Sequence, residues 1–117
     1  MAVEQLWSLE YVSGLGTEGG GVVVLEKGKI IGGDNNYFYI GSYDLNNNQF
    51  NATIDIKHYA GSYNPIFGKL DELIIKLQGD YDEEEMLLTG HVLEQPSTEV
   101  HVRLKYHAYI FQKLNET

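Results

Sequence analysis

The sequence predicts an all-β protein, an antiparallel meander of about eight strands closed into a small barrel. Three observations predict it. Residues 19–43, GGGVVVLEKGKIIGGDNNYFYIGSY, hold three short β-branched and aromatic runs separated by Glu-Lys-Gly-Lys and Gly-Gly-Asp-Asn-Asn. Glycine, Asn and Asp reach positive φ at little cost, so the breaks read as hairpin turns. Residues 50–59 alternate strictly, with Phe50, Ala52, Ile54, Ile56 and His58 on one face and Asn51, Thr53, Asp55 and Lys57 on the other. Similar runs recur to the end of the chain with short connections, and meanders of this length close because closure removes exposed edges.

The first strand is Leu6 to Val12, with Trp7, Leu9 and Tyr11 on its apolar face. A glycine-rich connection, Ser13 to Gly20, leads to a second strand, Gly21 to Glu26, which turns at Lys27-Gly28 into a third, Lys29 to Gly32. The fourth runs from Tyr37 to Tyr43, and Leu45 to Asn48 make the next turn into the fifth, Phe50 to Tyr59. Ala60 to Lys69 is the longest irregular connection, with a turn at Asn64-Pro65. Leu70 to Gln78 reads as strand or helix, and the Ile74-Ile75 pair with the following Gly79 favours strand. The seventh strand is Met86 to Leu93, Gln95-Pro96-Ser97 is the next turn, and the eighth strand runs from Val100 to about Phe111.

With 117 residues the chain is one domain, residues 1–117, long enough to bury a core. It has no cysteine, which excludes disulfides and thiolate metal sites. Seventeen acids against eight bases give a net charge of −9, which disfavours nucleic acid and suits a basic partner. The N-terminal residues lack the cationic start and apolar run of a signal peptide, and no run approaches a membrane span, so a soluble cytoplasmic protein is expected.

The strongest charge feature is the acidic run Asp80, Asp82, Glu83, Glu84 and Glu85. It is a candidate docking patch for a basic protein or a weak hard-cation site, and the plainer reading is a solvated hairpin turn. His101, Arg103, Lys105 and His107 make one face of the last strand basic, a candidate surface for an acidic partner, nucleic acid or the chain's own acidic run; the plainer reading is an outward solvated face. His101 and His107 stand ~20 Å apart along a strand, too far to share a metal. The aromatic set Trp7, Tyr11, Tyr37, Tyr39, Tyr43 and Phe50 (with Tyr59) is a candidate ligand pocket, against which stands simple core filling; tyrosine matters because a buried hydroxyl needs a partner. His58 and His91, at the ends of apolar runs, read as structural histidines. Gly32-Gly33-Asp34 is not followed by a helix, so it fails the dinucleotide fingerprint and reads as a bend or bulge. No catalytic constellation, nucleotide loop or metal-site motif is present, so neither an enzyme nor a cofactor is expected. The apolar stretch Tyr106, Ala108, Tyr109, Ile110 and Phe111 exceeds what one barrel face needs and predicts a homodimer.

Several stretches resemble the GrlR family, small bacterial proteins named for a negative regulator of type III secretion genes. They are residues 6–9, Gly19 to Leu25 with Gly28-Lys29, residues 31–34, residues 39–43, His58-Tyr59, Ile66-Phe67-Gly68 and Gln95-Pro96. The resemblance implies a dimeric, lipocalin-like barrel with a largely apolar interior. It also implies a repressor-type adaptor that restrains a transcriptional activator by binding it. The family's regulator carries an acidic tetrad after its Tyr-x-Gly strand, implicated in partner contact. Here that turn reads Asp44-Leu45-Asn46-Asn47-Asn48 and holds one acid. The expected function is regulation through a protein partner, with a carrier or sensor of a small apolar ligand as the alternative.

Overall fold

The computed structural model describes residues 4–13 and 16–110. These residues form eight antiparallel strands: β1 (Glu4–Ser13), β2 (Gly16–Glu26), β3 (Lys29–Gly33), β4 (Tyr37–Asn46), β5 (Gln49–His58), β6 (Glu72–Asp80), β7 (Glu85–Val92) and β8 (Gln95–Ile110). Each strand pairs with the next, and β8 returns to pair with β1, closing the barrel. No described helix is long and apolar enough to cross a membrane.

Local chemistry sets the tight turns. Lys27-Gly28 and Asn47-Asn48 all have positive φ, at 50° and 82° and at 52° and 67°. Two successive left-handed residues give the turn whose twist matches paired strands. The β3–β4 connection is held by Asp34, whose Oδ1 accepts the amides of Asn36 and Tyr37, each at 2.8 Å.

Alternation fills the interior. On β5 the buried residues are Phe50, Ala52, Ile54 and Ile56, as the sequence predicts. On β6 they are Leu73, Ile75 and Leu77, a period of two that excludes the helical reading of this segment. Among the described residues no polar or charged residue is classed as buried, so the core is held by apolar and aromatic packing.

Several boundaries differ from the sequence reading: β4 runs on to Asn46, so the turn is Asn47-Asn48 rather than Leu45 to Asn48, and β6 starts at Glu72 rather than Leu70. Pairing of β1 with β2 reaches Ser13 and Gly16, so residues 16–20 belong to a strand rather than a connection; residues 14–15 lie outside the described residues. The β7–β8 turn is Leu93-Glu94, not Gln95-Pro96-Ser97. Val92 pairs with Gln95 and His91 with Glu99, so residues 96–98 form a bulge. Proline is tolerated there because a bulged residue owes the ladder no amide. On β8 a register shift pairs Trp7 with Tyr106 and Leu6 with Ala108, so Ala108 rather than His107 continues the outward row. Phe111 lies outside the described residues.

Candidate functional site

The turns at one end of the barrel bring the acidic run beside the β4–β5 turn. Asp80 pairs with Gln49, and the amide of Tyr81 donates to the carbonyl of Asn48 at 2.8 Å. The run therefore lies next to residues 44–48, the position at which the sequence reading finds a single acid. Its five members divide into two groups. Asp82 shapes the turn: its Oδ1 accepts the amides of Glu84 at 2.8 Å and Glu85 at 3.0 Å, and these bonds hold its carboxyl below the ordinary value. Glu85 lies 3.3 Å from Arg103, which reaches Glu10 at 3.3 Å on the other side. Asp80, Glu83 and Glu84 are exposed, as is Asp44 on the adjacent strand. Among the described residues, no three His, Asp or Glu side chains converge to hold a metal ion.

The aromatic set does not line one hollow. Trp7, Tyr43 and Phe50 lie toward the acidic end, where Tyr43 stacks on Phe50 at 5.1 Å and Trp7 meets Tyr106 edge-on at 5.7 Å. Tyr11, Tyr37 and Tyr39 lie toward the opposite end. Between them aliphatic side chains leave a void of only about 10 Å³, lined by residues such as Leu9, Leu25, Ile54 and Leu104. A void this small holds no ligand, since ligand pockets run to several hundred Å³. Five of the six are buried in the core, and Tyr43 packs against it partly buried.

The opposite end is closed by the β5–β6 connection. Phe67 is fully buried and presents its ring edge-on to Tyr11 at 5.1 Å and Tyr37 at 5.5 Å. The Tyr37 hydroxyl accepts the amide of Asn64 at 2.7 Å. The Tyr39 hydroxyl donates to Asp34 Oδ2. The Tyr11 hydroxyl is buried with the Tyr39 side chain as its hydrogen-bonding neighbour, but the contact is too poorly aligned to satisfy it. Burial, the largest cause, drives the phenols of Tyr11 and Tyr39 far above their ordinary value. His58 fastens the start of the connection: it stacks on Tyr63 at 4.2 Å and its Nε2 lies 2.9 Å from the Gly61 carbonyl. This plug escaped the sequence reading; its one signal was the apolar pair Ile66-Phe67 inside an otherwise polar stretch.

A second feature also escaped. Register carries an outward row of residues across neighbouring strands: Ala108, Leu6, Val24, Ile31, Ile40, Asp55 and Ile74. Ile31 is 56% exposed and Ile40 54%, and Val22 and Phe38 extend the patch on the adjacent row. Within this row Asp55 keeps Oδ1 buried with no hydrogen-bond partner. The runs VVVL and YFYI carry the signal, because apolar residues at consecutive positions must occupy both faces of a strand.

The basic row faces outward, with Arg103 committed to Glu10 and Glu85 and His101 3.3 Å from Glu99. Gly33 is paired strand, and Asp34 begins the tight bend that the sequence predicts there. No protein-family model matches the chain, and no curated protein matches its sequence.

Proposed function

We propose that this protein is a non-enzymatic regulatory adaptor that binds the basic surface of a protein partner, such as a transcriptional activator, through its acidic end. The observation that carries the reading is the contact of Tyr81 with Asn48, which sets Asp80, Glu83 and Glu84 beside the exposed Asp44. The resemblance to the GrlR family places a partner-binding acidic tetrad in that neighbouring turn. Acids carried instead by the adjacent hairpin present negative charge at the same end of the barrel. Exposed acids steer and select a basic partner more than they tighten it. The filled interior, by contrast, lends no support to a carrier with its ligand in the barrel centre.

The test compares the wild-type chain with a triple variant, Asp80→Asn, Glu83→Gln and Glu84→Gln, as baits in the host lysate, with captured proteins identified by mass spectrometry. These substitutions spare Asp82 and Glu85, so the turn is kept. A partner retained by wild type and lost by the variant supports the reading, as does an affinity that falls with added salt for wild type only. Equal capture by both removes the acidic run from the account.

The same reading includes a homodimer, with its face moved from the C-terminal stretch alone to the outward apolar row that begins at Ala108. A monodisperse dimer by light scattering, converted to monomer by Ile31→Lys with Ile40→Lys, is the expected result. A monomeric wild type at micromolar concentration rejects it.

A further inference from the structure

We propose that the barrel mouth beneath Phe67 is a binding site for a small hydroxylated aromatic molecule, and that residues 59–71 are its displaceable lid. The site lies at the opposite end from the acidic run, so this proposal and the adaptor reading fail independently.

The lid is fastened unevenly. Its first half is tied to the barrel: the amides of Tyr59 and Ala60 donate to the Asn36 carbonyl at 2.8 and 3.3 Å, and Asn36 Nδ2 donates to the carbonyls of Ala60 and Ser62 at 3.1 Å each. In its second half, the amides of Ile66, Phe67 and Gly68 all return to Asn64 or Pro65 within the loop itself. Phe67 itself is held down by packing, and the nearest mooring of its loop to the barrel wall is Asn64, whose amide donates to the Tyr37 hydroxyl at 2.7 Å. Gly61 and Gly68 flank the plug with φ of +67° and +65°. Glycine crosses between left- and right-handed backbone at little cost, so both are natural pivots.

The space that Phe67 occupies defines the ligand. Its ring sits edge-on to Tyr11 and Tyr37, the geometry that aromatic rings prefer. Withdrawing it would leave a benzene-sized hollow with aromatic walls, and dry apolar hollows of that size do accept benzene. The walls are not wholly apolar. The Tyr11 hydroxyl is buried, has Tyr39 as its polar neighbour and makes no well-formed hydrogen bond, a costly state that a ligand hydroxyl would relieve. Beside it, Tyr39 is already committed to Asp34 and is held in place. The phenylalanine thus acts as an internal stand-in that satisfies the rings and leaves the hydroxyl unsatisfied. A phenol satisfies both.

The experiment titrates the whole protein with phenol, and with benzene as the probe lacking a hydroxyl, while following the Phe67 ring resonances by NMR. In the closed state these resonances are shifted by the Tyr11 and Tyr37 rings. Phenol is expected to move them toward unstructured positions, and Tyr11→Phe is expected to weaken phenol by about fivefold to tenfold while leaving benzene unchanged. Phe67→Leu, which keeps an apolar plug of smaller size, is expected to bind phenol more tightly than wild type because the closed state competes less well. Unmoved resonances at saturating solubility of phenol overturn the proposal, and so does a phenol response no stronger than benzene's or indifferent to Tyr11→Phe.

Discussion

Tyr11 and Tyr39 meet at the mouth of the barrel with their rings 6.4 Å apart and edge-on, but only one of the two hydroxyls reaches a carboxylate. Tyr39 donates to Asp34, which in turn braces the β3–β4 bend through the amides of Asn36 and Tyr37. Tyr11 has no such partner. The same deletion therefore has different consequences at the two positions. Tyr39→Phe strands a carboxylate oxygen and is expected to cost about 1–3 kcal/mol. Tyr11→Phe removes a desolvated group that is at best poorly bonded to Tyr39 and is expected to be near neutral. Urea denaturation of the two variants checks the pair, and an equal loss in both refutes the assignment of the hydrogen bond.

The same pair gives the protein an alkaline limit. Both phenols have folded pKa values raised above the ordinary 10.0, with burial the largest cause. The folded state holds these protons after the unfolded chain releases them. Their contribution to stability is therefore complete below pH 10.0 and declines as the pH rises above it. The wild-type urea midpoint is expected to fall more steeply above that pH than the midpoint of Tyr11→Phe, which lacks one of the two groups. Parallel slopes would show that the phenols do not govern the decline.

How much of this was legible in the sequence follows from the range of each signal. The alternation of β5 and the paired left-handed turns at Lys27-Gly28 and Asn47-Asn48 are local, and the residues involved announce them. The turn at Gln95-Pro96-Ser97 was misplaced because proline signals a break in the ladder, which a bulge supplies as well as a turn does. The larger omissions are matters of register and of one connection without periodicity. Asp80 reaches Asn48 only because β5 and β6 pair Gln49 with Asp80. Ile31 and Ile40 join one surface only because β3 and β4 align them. Phe67 sits in a stretch without periodicity, so nothing local says which of its neighbours it will cover. Strand alternation gives the face of each aromatic residue but not its height in the barrel, so it does not separate a pocket wall from core filling.

Arg103 links three strands through Glu10 on β1 and Glu85 on β7. The side chains involved are each more than one-third exposed, so water and salt screen both contacts. Arg103→Met keeps the aliphatic stem over the sheet and removes the charge. It is expected to cost no more than about 1 kcal/mol at low salt, a difference that fades in concentrated sodium chloride. Thermal unfolding at two salt concentrations measures it. A large loss independent of salt would point to packing by the stem and not to the ion pairs.

Two glycines separate steric need from conformational need. Gly90 on β7 lies between Leu77 of β6 and Val100 of β8. A Cβ there would come within 1.5 Å of the Lys76 carbonyl oxygen, which is backbone and has no rotamer by which to yield. Gly90→Ala must therefore push β6 and β7 apart, at a cost of about 3 kcal/mol or more. Gly68, at the end of the plug, has no atom within 4 Å of the corresponding position, so only its positive φ opposes a side chain. Gly68→Ala is expected to cost about 1–2 kcal/mol. That cost falls on the lid and leaves the strand ladder intact. Thermal unfolding should rank the two variants in that order, and hydrogen exchange should localise the Gly68→Ala effect to residues 59–71. The reverse ranking would mean that β6 and β7 are not packed as closely as their pairing requires.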